Sequence, residues 1–208
     1  NNKKSSAKTP TAEKSVEEKQ PEPTVVVEAT EQPQQAVEEQ VAAVFVSKIN
    51  QIAMDSFPLI ADYLNNVSEL KSSPNIRPSQ VEWFLYIVLV ANLENIDRVL
   101  TVEQGTRLRL LIIDEFLESL EGVKKDDVED NIENFSFFMK SLSKKCDDSL
   151  PKMIATALFY KYGLNDYQDE HFKQMNQPNP IIIKAICEFS SDFLWNWDDL
   201  LEKYKMVA

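Results

Sequence analysis

Hydrophobic positions along this chain recur mostly at three- and four-residue spacings, the mark of amphipathic helices with one buried face. One stretch departs from that pattern. From Val81 to Leu93 the sequence reads VEWFLYIVLVANL, and only Glu82 and Asn92 in it are clearly polar. A helix apolar on nearly every face is buried on several sides or lies in lipid. Its 13 residues fall short of the roughly 20 needed to cross a bilayer, so burial in a protein core is the better reading. The run Ser79-Gln80-Val81-Glu82 fits an S-x-x-E capping box and predicts the helix start at Ser79. The pattern thins after Leu93 to Ile96, Val99 and Leu100, which predicts one end emerging toward solvent.

The flanking stretches read as further helices. Val37, Val41, Val44, Phe45, Ile49 and Ile52 gather on one face of a first helix that begins between Gln34 and Glu39. Pro58, with no amide hydrogen, is expected to end or kink it, leaving Leu59, Ile60, Tyr63, Leu64 and Val67 on a second short helix. KSSPNIRPS, residues 71–79, is a loop. Thr101, with Gln104 three positions on, caps the helix after the central one, whose stripe is Leu110, Ile113, Phe116, Leu117 and Leu120 before a stop at Gly122. Acids at Asp126, Asp127, Glu129 and Asp130 suit the positive end of the next helix, and Lys140, Lys144 and Lys145 its negative end. Its core stripe is Val128, Ile132, Phe135, Met139 and Leu142. Ser149 to Tyr162 forms a shorter helix stopped by Gly163, and a brief piece follows, ending by Gln177. Asn179-Pro180 then opens a last long helix expected to reach about Lys205.

The expected architecture is therefore all-α: a single bundle or array of six or seven helices over residues 36–208, with a largely buried central helix. Residues 1–35 are rich in Lys, Glu, Ser, Thr, Pro and Gln and hold no aromatic residue. Such a composition buries too little apolar surface to offset the entropy of ordering, so a disordered tail or tether is expected there. Val25-Val26-Val27 is its only apolar cluster and reads as part of a linker, the alternative being a short strand that docks on a partner. The chain starts at Asn1 and not at Met, from which residues upstream are expected; the Lys/Asn/Ser opening would suit the stalk of an anchored protein.

Composition narrows the function classes. Only 3 glycines are present where average usage would give about 14, which disfavours Gly-loop architectures. The net charge of −12 disfavours nucleic-acid backbones and anionic membranes, which need clustered Lys and Arg. A solvated acidic surface accounts for it, and a basic protein partner is the functional counterpart. Cys146 and Cys187 make no C-x-x-C unit and sit in helical patterns as small hydrophobes. Unpaired, they fit a reducing, cytoplasmic setting; paired, they fit an exported and tethered protein.

No chemistry-bearing motif emerges. His171 is the single histidine, so neither H-E-x-x-H nor paired Glu-x-x-His exists and no metal site is expected. The carboxylates Asp114, Glu115 and Glu118, Asp126 to Asp130, and Asp198, Asp199 and Glu202 fall on wet faces or helix starts. The glycines stand alone, so no phosphate loop is present. Arg107 and Arg109 are expected to pair with acidic neighbours. No catalytic residue and no cofactor is assigned.

The expected role is a non-enzymatic protein–protein interaction module: an adaptor, chaperone-like or scaffolding subunit of a larger assembly. The alternative is a carrier whose apolar interior, lined by Val81 to Leu93, holds a lipid or other small hydrophobe. Trp195 is the candidate partner anchor. On one continuous final helix it would point away from the stripe Ile186, Phe189, Phe193, Trp197, Leu201 and Tyr204, with Glu188, Asp192 and Asp199 as an acidic rim.

Overall fold

The computed structural model describes residues 34–207. The expected tail over residues 1–35 lies outside them, except for Gln34 and Gln35. Those two open a strand, β1 (Gln34–Val37). The rest is an all-helical array, closed by one strand at its far end.

Helix α1 (Glu38–Asn66) is continuous through Pro58. Phe45, Ile49, Ala53, Phe57, Ile60, Ala61 and Leu64 are all buried and keep one face across the proline. The expected break at Pro58 is thus overridden by packing on both sides of it. Val44, read as part of the core stripe, is exposed, and Val46 and Ala42 take the inner positions.

Helix α2 (Glu82–Val99) is the buried centre that its composition predicts. Every residue from Tyr86 to Leu93 is buried, including Asn92. Side chains such as Phe84, Ile87, Leu89 and Leu93, at 0% exposure, each stabilise the fold by roughly 1.5–3 kcal/mol. Packing against α2 are α1, α3 (Val102–Ser119), α4 (Lys125–Leu142) and α5 (Leu150–Lys161). Its start differs from expectation. Pro78–Gln80 form a 3-10 turn in which the Arg77 amide donates to Gln80 Oε1 (2.8 Å), and Ser79 is not the cap. The free amide of Phe84 is met instead by the Tyr162 hydroxyl (3.1 Å), which itself donates to the Gln80 carbonyl (2.7 Å). A side chain from α5's end has taken the place of a local cap.

Thr101 caps α3 as predicted, accepting from the Gln104 amide. On α3 the buried residues are Gly105, Leu108, Ile112, Phe116 and Leu117, whereas Leu110 points outward at 60% exposure. The α4 stripe Val128, Ile132, Phe135, Met139 and Leu142 is buried in full. Helix α5 is buried all round from Met153 to Phe159 and ends at Gly163, whose φ of 66° suits a residue without a Cβ. A short α6 (Glu170–Met175) follows.

The last helix is not one helix. Asn179 caps α7 (Pro180–Ser190), which packs along α5; a 3-10 turn spans Ser191–Phe193, and α8 (Trp197–Lys203) starts afresh from Asn196. Two interactions account for the break. The Ser190 hydroxyl turns back to the Ile186 carbonyl (2.7 Å). The buried amide of Asn92 donates to the Phe193 carbonyl (2.8 Å) and accepts from the Trp195 amide (2.7 Å), holding this segment extended against α2. Residues Tyr204–Val207, expected to finish the helix, form β2 and pair in parallel with β1, Gln34 opposite Tyr204 and Val37 opposite Val207.

Candidate functional site

The break in the final helix rearranges the predicted surface. Trp195 lies in the extended link before α8 and is half-buried, its ring 5.5 Å from Phe45 and 6.0 Å from Trp197. The reason for placing it on a charged strip, one uninterrupted helix, does not hold. Asp199 lies in the first turn of α8, where its amide donates to the capping Asn196 side chain (3.3 Å). Glu188 and Asp192 remain exposed, at the end of α7 and in the turn after it.

Glu188 lines a neighbouring cleft, and Asp192 lines an apolar one. The apolar cleft opens between the second half of α1 and the end of α7, with a volume of about 360 Å³. Ser56, Leu59, Ile60 and Tyr63 line it from α1, and Phe189, Asp192 and Phe193 from the other wall. Buried Ile60 and Phe193 belong to the core, whereas Leu59 stands at the rim with 74% of its surface exposed. The rings are set at steep angles: Tyr63 to Phe189 at 79° and 5.8 Å, Phe189 to Phe193 at 64° and 6.1 Å.

The surrounding charge is acidic. Asp192 lines the cleft, and no Lys or Arg does. Burial, followed by the nearby carboxylates of Glu69 and Glu188, raises the pKa of the Tyr63 hydroxyl above its usual 10.0. Exposed Asp55 and Asp62 flank Leu59 at helical spacing on α1. Chemically this is a place for an apolar group with a positive charge beside it. No nucleophile paired with a base lines it.

By periodicity alone Leu59, Ile60 and Tyr63 belong to the stripe of a short helix. The signal for a surface role was the spacing Asp55, Leu59, Asp62, which sets a leucine among acids on one face. Elsewhere, Arg107 and Arg109 pair with acids as expected. Arg107 forks onto Glu38 (3.0 and 2.8 Å), whose side chain is only 2% exposed, and Arg109 bonds Asp97. His171 is exposed on α6, Cys146 is buried and Cys187 half-buried, and both thiols are free. Among the described residues no cluster of three or more His, Cys, Asp or Glu could hold a metal, and no helix is long and apolar enough to cross a membrane.

Two further clefts lie near α7, one holding Lys152, Lys184 and Cys187, the other Cys146, Thr156 and Tyr160. None of the three is lined by any residue of Val81 to Leu93. Comparison with known families, curated proteins and solved structures found no match for this chain.

Proposed function

We propose that this chain is a non-enzymatic, acidic helical interaction module, an adaptor, chaperone-like or scaffolding subunit, that receives a partner protein at the cleft between α1 and the end of α7. The supporting observation is Leu59. A leucine 74% exposed beside an aromatic-lined depression, ringed by acids, resembles the centre of a protein interface, where an apolar anchor site is framed by a polar rim. The overall charge of −12 suits a basic partner, because complementary charge speeds encounter and orients docking.

The test compares two exposed positions in the full chain. Leu59→Asp and Val102→Asp both change an exposed apolar residue, the second, 89% exposed, at the start of α3. A tagged full chain should retain its partners from a host extract with Val102→Asp and lose one or more with Leu59→Asp, both variants unfolding like the parent. Equal capture by both would remove this cleft as the docking site.

A further inference from the structure

Resting on that docking reading, we infer that the cleft recognises an arginine side chain of the partner, laid against the rings of Tyr63 and Phe189 with its guanidinium directed to Asp192. Three features lead there. Aromatic faces carry negative charge density and attract cations, Arg more often than Lys. Tyr63 and Phe189 meet at 79°, which gives a flat cation two differently oriented walls. Asp192 lines the same cleft, and Glu188 and Glu69 act on Tyr63 from close by. A planar guanidinium can stack on a ring and fork onto a carboxylate at once, which a lysine ammonium cannot. The volume of about 360 Å³ is at the small end for ligand pockets, which suits one or two side chains of a peptide segment better than a large molecule. Leu59 at the rim then packs against an apolar residue next to that arginine.

The probe is a pair of short peptides, acetyl-Leu-Arg-Leu-amide and its citrulline counterpart, which keeps the shape and lacks the charge. Each is titrated into the isotope-labelled full chain and followed by amide chemical shifts. The arginine peptide should move the amides of Leu59, Tyr63, Phe189 and Asp192 and bind at least about tenfold tighter than the citrulline peptide, as expected of a charge-assisted contact. Asp192→Asn should shrink that ratio several-fold, chiefly by weakening the arginine peptide. Three results overturn the inference: no movement at the cleft, equal affinity for the two peptides, or shifts as large at Asp126 to Asp130 as at the cleft. Equal peptide affinities together with loss of partner capture in Leu59→Asp would leave the docking reading standing and remove only the arginine.

Discussion

Asn92 carries more of the structure than its neighbours in α2 because it is the polar group within a buried apolar surface. Fully buried, it donates to the Val88 and Phe193 carbonyls (both 2.8 Å) and accepts from the Trp195 amide (2.7 Å). A buried amide is tolerated only when its hydrogen bonds are made, and here they fix where the last helix breaks. Asn92→Leu keeps the size but leaves the Phe193 carbonyl and Trp195 amide without that partner. At about 1–3 kcal/mol per stranded group, it should lower stability in urea by roughly 2–6 kcal/mol. A loss under about 0.5 kcal/mol, the scale of a neutral surface change, would mean the segment 193–195 is held by something else. The sequence shows Asn92 as one of two polar residues in a greasy run, but not its distant partners, which lie about a hundred positions on. Periodicity reports which face is buried and carries no information on what covers it.

At the scale of elements, two opposite errors share one cause. Pro58 reads as a helix end, and α1 runs through it; Ser190 to Asn196 reads as continuous helix, and the chain breaks there. A proline inside a helix costs about 3 kcal/mol. Burial of Phe57, Ile60, Ala61 and Leu64 on the face shared with Ile49 and Ala53 outweighs that cost. At the other site no proline or glycine marks the end. The cue was cap chemistry, Asn196 before Trp197 with Asp198 and Asp199 in the first turn, which was legible but weaker than the apolar stripe running across it. Where local signals and packing agreed, as in the α4 stripe and the Thr101 cap, the elements fell where the pattern put them. For α1 the prediction is that Pro58→Ala stabilises the protein. The proline is exposed, and alanine restores an amide for the Met54 carbonyl. The gain should be about 1–2 kcal/mol, seen as a rise of several degrees in Tm. A fall would show that Pro58 stabilises α1 where it stands.

At the scale of the whole molecule, the two ends of the described chain are held together. β1 and β2 pair in parallel across the whole described segment, and Met206 enters the core at 6% exposure. No local pattern announces this. Tyr204 continues the helical spacing of Trp197 and Leu201, and a strand is recognisable only beside a partner far away in sequence. Such a contact closes a very long loop, so it forms after the helices that bring the ends near one another. It is also short, four residues on each strand, so its loss should be local. Truncation after Lys203 removes β2 and the buried Met206, a change worth about 2–3 kcal/mol if the methionine alone is counted. Hydrogen exchange provides the check, because it resolves local opening from global unfolding. Amides of Ala36, Val37 and the first turn of α1 should lose protection by well over tenfold, while those of Ile87 to Leu93 in α2 fall only in proportion to the global loss. If the α1 start stays protected in the truncated chain, the forked ion pair from Arg107 to buried Glu38 is sufficient to hold that end, and the strand pair adds little.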